Sequence, residues 1–456
     1  MPSSRVLSLC RLAGVLAAAL AFAPASALNL TQATQEAIAS DPSFAAARAR
    51  YVADLERLPQ ARAYLLPWVN ANANATYAET RTRFSNQLPR RQTHTDNYGY
   101  QLTLSQPLFD WSSWQNFEAA KLGVTLAELQ LQQAFQDLLL RVSQAYFDVL
   151  TAEDTLVALE AERTSIAEQL KSAQRNFELG TATITDTYEA QARFDLVEAQ
   201  SLQAQNTLEI RRNALGRIIG QAPGSLDALP AGTDIPGPSP DRIDAWVDRS
   251  QTENLGVVRA QVATAIAERG IDVARGGHYP QVNLVANFGQ SNNRYNPEAN
   301  QAAAGIEPGR ARGTASSVGI QLSIPIYSGG LVSSRVRQAV AEEQESRSQY
   351  EAARRDAIQG ARSAFLSVNS GLAQIRALEA GEESSRKALE ANQTGYEVGV
   401  RINLDVLAAQ QQLFATQRDL ARARYGALVD GLRLKAAAGQ LTEADLDAIN
   451  RLLRPR

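Results

Sequence analysis

Two long stretches of this chain contain no proline: none lies between Pro107 and Pro223, and none between Pro325 and Pro455. A proline inside a helix costs about 3 kcal/mol, so these stretches are where very long helices can form. Their residues agree, being rich in the helix formers Ala, Leu, Gln, Glu and Arg. From Leu138, apolar or small residues fall at Val142, Ala145, Val149, Ala152, Leu156 and Leu159, then again at Ile166, Leu170, Ala173 and Phe177. Alternating steps of four and three make the heptad seam of a coiled coil. A helix from Ser112 to Leu179 would be roughly 100 Å long at 1.5 Å per residue. Gly180 breaks it, and Thr183-Ile184-Thr185-Asp186 reads as a capping box opening a second helix that runs to about Gly220. The two helices predict an antiparallel hairpin.

The second half repeats the first. Phe177-Glu178-Leu179-Gly180 returns as Tyr396-Glu397-Val398-Gly399, Asp186 returns as Asp405, and Ala214 to Gly220 returns more loosely as Arg433 to Gly439, all at an offset of 219 residues. One ungapped offset over this span is the mark of duplication. The repeats are expected at 28–220 and 242–440, with a Pro/Gly-rich linker over 221–241 and a C-terminal segment over 441–456. The linker, holding Pro223, Pro230, Pro236, Pro238 and Pro240, should be extended.

Before each long helix the period changes to two. Trp68 to Tyr77, Tyr98 to Leu104, Val282 to Phe288 and Val318 to Ile324 alternate apolar and polar residues, so each predicts a strand with one apolar face. Polar loops are expected between them, at Arg81 to Asp96 and Ser291 to Gly313. Such strands suit a transmembrane barrel or a half-buried soluble sheet. Four strands cannot close a barrel, and open sheet edges are not tolerated in lipid. A membrane reading therefore requires several chains to pool their strands; three would supply about twelve.

The N-terminus sets the compartment. Arg5 and Arg11, the apolar run Leu12 to Ala23 and Ala25-Ser26-Ala27 make the three parts of a secretory signal peptide over residues 1–27. Cys10, the single cysteine, would leave with it, so no disulfide or cysteine metal site is expected. Net charge is −3, and loss of the two leader arginines takes it to about −5, which offers nothing to nucleic acid. No segment after the leader is apolar enough for a membrane helix. His94 and His278 stand far apart in the sequence and read as surface or interfacial residues rather than a metal pair. Trp68, Tyr77, Tyr98 and Tyr100 are candidates for an aromatic girdle. Trp111, Trp114 and Ser328-Gly329-Gly330 mark passages from strand to helix. No nucleophile-base order, nucleotide loop or cofactor motif is present, so no enzymatic activity is expected.

These residues resemble the TolC family of outer-membrane efflux and secretion ducts. The likeness rests on the duplicated hairpins, on Pro107-Leu108-Phe109-Asp110 and Pro325-Ile326-Tyr327-Ser328-Gly329-Gly330, and on the two helix-turn motifs with Ile184-Thr185-Asp186 and Asp405-Val406-Leu407. The resemblance implies an α+β membrane protein: coiled-coil hairpins forming a periplasmic α-barrel, and four transmembrane strands per chain in a trimeric twelve-stranded β-barrel. It implies a homotrimer in outer-membrane lipid, working with a periplasmic membrane-fusion adaptor and an inner-membrane ABC or RND-type transporter. Asp405 would form a periplasmic gate ring; the position one turn later, where the family often has a second aspartate, is Ala408. Thr185 and Asp186 would latch to Tyr396 and Arg401. The absent lipid-anchor cysteine and the Asp405 motif favour the type I secretion branch over multidrug efflux. The alternative is a structural or adhesive coiled-coil protein of the periplasm or cell surface.

Overall fold

The computed structural model describes residues 27–83, 91–297 and 309–455. All but the last residue of the expected leader lies outside them, as do 84–90 and 298–308 between the strands. Three short helices, α1 (Leu30–Ser40), α2 (Pro42–Leu55) and α3 (Arg57–Ala63), lead into β1 (Trp68–Thr82) and β2 (Arg91–Phe109). The hairpin α4 (Trp111–Glu178) and α5 (Ile184–Ile219) follows, then α6 (Ile243–Glu253) and α7 (Leu255–Arg275). Strands β3 (Gln281–Pro297) and β4 (Gly309–Ser323) precede a second hairpin, α8 (Leu331–Glu397) and α9 (Asn403–Ala437), and the chain ends in α10 (Glu443–Asn450). No described helix is long and apolar enough to cross a membrane.

The chain divides into two compact units, and neither is a sequence repeat. One combines the described parts of Met1–Ala47, Gln133–Asn254 and Asp356–Arg456; the other combines Arg48–Gln132 and Leu255–Arg355.

The first unit carries the heptad seam. Leu159, Ile166 and Ala173 on α4 form one buried cluster with Ala190, Val197 and Ala204 on α5. Both triplets step by seven residues in opposite directions from the turn, as an antiparallel coiled coil requires. The seam ends before the turn, for Phe177 is exposed. Further along α4, Tyr146 and Phe147 are fully buried, and Phe147 stacks on Tyr425 of α9 at 5.7 Å. Tyr146 Oη lies 2.9 Å from the Leu28 carbonyl and 2.8 Å from the Asp227 carbonyl, so one phenol ties the start of the described chain to the linker. Burial pushes its ionisation well above the ordinary range, so it stays a donor.

Asp41 caps α2 ahead of Pro42, the preferred arrangement for a helix start. Its Oδ1 accepts from Phe44 N (2.8 Å), Ser43 Oγ (2.5 Å) and Arg141 (3.2 Å). Burial raises its carboxyl, but these bonds and the Arg141 charge outweigh burial and hold it below the ordinary 3.8. A depressed carboxyl stabilises the fold above the unfolded value and loses that contribution as pH falls through the folded one. Asp41→Asn should therefore cost about 1–2 kcal/mol near neutrality. The gap in thermal midpoint from wild type should close as pH drops below 3.8; a gap independent of pH would count against it.

In the second unit the strands form one antiparallel sheet in the order β1-β2-β3-β4. Trp68 to Thr82 pairs with Ser105 to Arg91, and Gln281 to Tyr295 with Ser323 to Gly309. All four strands extend into the expected loops, although β4 stops at Ser323, one residue short of the expected Ile324, so the polar loops are shorter than the sequence indicated. The hydrophobic alternation stops near Tyr77, while the backbone ladder runs on through residues polar on both faces. The register collects Val69, Ala71, Ala73, Ala75 and Tyr77 with Tyr98, Tyr100, Leu102 and Leu104, then Val282, Leu284, Ala286 and Phe288, then Val318, Ile320 and Leu322, on one face. The other face holds Asn70, Asn72, Asn74, Asn97, Gln101, Thr103 and Asn287, with Asn287 Oδ1 accepting from Thr103 (3.0 Å) and Gln101 (3.2 Å). Trp68 falls on this polar face, so of the four girdle candidates only the three tyrosines share the apolar side. His94 stacks on Tyr77 at 6.0 Å, and His278 sits in a short 3-10 turn.

The helices of this unit are joined through polar contacts. Ser112 Oγ on α4 donates to Val273 O on α7 (3.0 Å), and Thr264 on α7 meets Ser346 on α8 (3.2 Å). Trp111 packs edge-on against Tyr279 where strand gives way to helix.

Candidate gate at the hairpin turns

The two hairpin turns have one backbone plan, repeated 219 residues apart. Gly180 and Gly399 both take positive φ, +75° and +78°, the left-handed conformation that ends a helix cheaply only at glycine. Gly180 N donates to Phe177 O (2.9 Å) and Thr181 N to Asn176 O (2.8 Å); Gly399 N donates to Tyr396 O (3.1 Å) and Val400 N to Gly395 O (2.9 Å).

The turns differ at the residue that opens the next helix. In the first it is Thr183, whose hydroxyl accepts from Asp186 N, while Asp186 Oδ2 accepts from Thr183 N (2.9 Å) and Oγ1 (2.8 Å), completing a capping box. In the second it is Ile402, which has no side-chain cap bond. Asp405 is therefore released from capping, and its Oδ2 lies 3.6 Å from Arg401 Nη1. One difference between the repeats ties the first aspartate into a capping box and leaves the second facing Arg401.

The expected latch residues are near the turns but are not joined to one another within one chain. Tyr396 Oη accepts from Asn176 Nδ2 at 3.5 Å, and Arg401 faces Asp405. Among the described residues no hydrogen bond or ion pair links Tyr396 or Arg401 to Thr185 or Asp186. Both capping bonds fall on Asp186 Oδ2, leaving Oδ1 without a bond among the described residues, and Thr185 is exposed.

What fastens the second turn to the first hairpin is a residue that the sequence reading missed. Asn403 is 0% exposed; its Oδ1 accepts from Gln169 on α4 (2.5 Å) and its Nδ2 donates to the Asp186 carbonyl (3.2 Å). It is the first of a series of polar rungs between α9 and α4. Gln410 donates to Ser165 (3.0 Å), Arg418 to Glu162 (2.8 Å), Tyr425 to Asp154 (3.0 Å) and Arg433 to Gln144 (2.7 Å). The available signal was that Asn403 and Gln410 occupy heptad positions where a coiled coil carries apolar residues, and a polar residue there fixes register.

Glu162 is 2% exposed, so removing Arg418 strands a buried charge. Because Arg418 reaches water, a double-mutant cycle with Glu162→Gln and Arg418→Met should give a coupling of about 1–3 kcal/mol in thermal or denaturant stability. Coupling near zero would show that the rung is decorative.

The model of the family described as outer membrane efflux protein matches residues 33–221 and 246–440. The chain is 32% identical to outer membrane protein TolC of Escherichia coli (strain K12), covering 93% of this chain and 85% of that protein. It is 31% identical to the alkaline protease secretion protein AprF of Pseudomonas aeruginosa, covering 93% and 87%. Among solved structures, the CmeC outer membrane channel of Campylobacter jejuni superposes with a TM-score of 0.77 at 17% identity over 93% of this chain and 89% of that one. The outer membrane protein VceC of Vibrio cholerae gives 0.72 at 20% identity, over 90% and 96%. With duplicated coiled-coil hairpins, a one-sided apolar sheet and these likenesses, the chain belongs to the outer membrane efflux protein family, the exit ducts of efflux and type I secretion.

Proposed function

We propose that three copies assemble into one duct, their sheets closing a twelve-stranded barrel and their hairpins a periplasmic tunnel gated at the turns. The observation that carries this reading is the sheet itself. It is apolar on one face and amide- and hydroxyl-lined on the other, and it ends at β1 and β4 with unpaired edges. Lipid cannot hydrogen-bond those edges, so β1 of one chain needs β4 of the next. Cargo crosses unaltered, delivered by an inner-membrane transporter through a periplasmic adaptor. Protein cargo is favoured by the likeness to AprF, a protease secretion protein.

At the closed tip the three Asp405 carboxylates ring the axis and repel, with Arg401 beside each. The latch acts between hairpins of neighbouring chains: Arg401 and Tyr396 of one reach the spare Asp186 Oδ1 and the exposed Thr185 of the next. The test is fractionation and conductance. The protein should sediment with outer membranes as an SDS-sensitive trimer and form ion channels in a planar bilayer. A soluble, channel-inactive product would instead support the coiled-coil adhesive alternative.

A further inference from the structure

The loop end of β3 and β4 carries three arginines on one face. In register, Arg294 on β3 pairs directly with Arg310 on β4, and Asn292 pairs with Arg312. All three arginines are exposed, and all fall on the side that bears the apolar band. At the same levels the opposite face has Ser291, Asn293, Tyr295, Gly309, Ala311 and Gly313, none of them charged. Like charges directly opposite one another destabilise a strand pair. The arrangement therefore calls for more anionic charge than β3 and β4 supply.

Little within the described residues supplies it. Glu79 accepts from Arg81 (2.7 Å) and Gln92 (2.5 Å) on the far strands. Asp96 is the register partner of Arg294, one carboxylate beside three guanidiniums, and none of the three arginines takes part in an ion pair among the described residues. Arg312 Nε donates to Asn292 Oδ1 (2.9 Å), which holds that guanidinium at the sheet surface.

The register also gives the depth. Tyr98 pairs with Asn292, which pairs with Arg312; Tyr77 pairs with Asp96, which pairs with Arg294 and through it Arg310. Tyrosines at the edge of an apolar band mark the membrane–water interface, so the arginines sit at the level of the headgroups. Guanidinium forks match phosphate oxygens in pairs. We infer that Arg294, Arg310 and Arg312 bind the phosphate of an outer-leaflet lipid, with the acyl chains lying along Phe288, Val318 and Ile320 below.

This site rests on the barrel reading, and the experiment separates the two. Purified trimer in nonionic detergent is titrated with a diphosphorylated glycolipid and, in parallel, with the same lipid stripped of phosphate; bound lipid is counted by native mass spectrometry. Wild type should prefer the phosphorylated form, and the R294Q/R310Q/R312Q variant should lose that preference by about one to two orders of magnitude in affinity. The variant should still conduct in neutral bilayers. Equal binding of both lipids by wild type, or an unchanged preference in the variant, overturns the site while leaving the duct intact. Displacement by inorganic phosphate would overturn the lipid assignment. Failure of wild type to trimerise or conduct would instead strike the barrel reading.

Discussion

Replacing Tyr396 with Phe and Arg401 with Ser together should leave the trimer assembled and raise its closed-state conductance in a planar bilayer. With the two lost latch bonds together weakening the closed state by about 1.4–2.8 kcal/mol, the open fraction should grow by about one to two orders of magnitude. The geometry supports the size of this effect. Tyr396 has only a 3.5 Å contact with Asn176, and Arg401 a 3.6 Å contact with Asp405, so neither is held firmly within its own chain. Asp186 keeps one oxygen spare after capping α5. Thr185→Val and Asp186→Asn should reproduce part of the effect, the second with some loss of helix capping. Unchanged closed-state conductance in the Tyr396/Arg401 variant would remove the latch.

Asp405→Ala should raise the divalent-cation concentration that half-blocks the channel by roughly tenfold or more, because a dication among three carboxylates draws on several Coulomb terms at once. A subtler variant tests the reason that Asp405 is available. Ile402→Thr restores the cap that Thr183 gives the first repeat, and should draw Asp405 into a capping box. The carboxylate remains charged, yet block should weaken while the helix start is stabilised by about 1 kcal/mol. Block unaffected by Asp405→Ala would exclude the ring; block affected by Ala but untouched by Ile402→Thr would exclude capping as the control.

Much of this architecture was legible because it is periodic. The seam from Leu138 to Ala173, the shared 219-residue offset and the glycines at both turns each state a local geometry that the fold retains. Strand ends were not legible. Beyond Tyr77 the apolar–polar alternation is lost, so side-chain pattern no longer reports the strand, and only the backbone pairing continues to Thr82. Asn403 was overlooked for a related reason: its importance lies in being wholly enclosed by α4 and α5, a property of tertiary contact. The capping contrast was open to view, since Thr183 and Ile402 share the repeat offset, but its meaning depends on which oxygen of each aspartate is occupied.

The rungs between α4 and α9 have a mechanical consequence. A greasy contact such as the α4–α5 seam can creep by fractions of an ångström with little penalty. A row of directional bonds has no such tolerance, since Gln169–Asn403, Ser165–Gln410 and Glu162–Arg418 are broken together by a small axial shift and nothing replaces them on the way. If opening slides α9 along α4, these rungs act as detents, and a single duct recorded over time should dwell at distinct levels instead of drifting through a continuum.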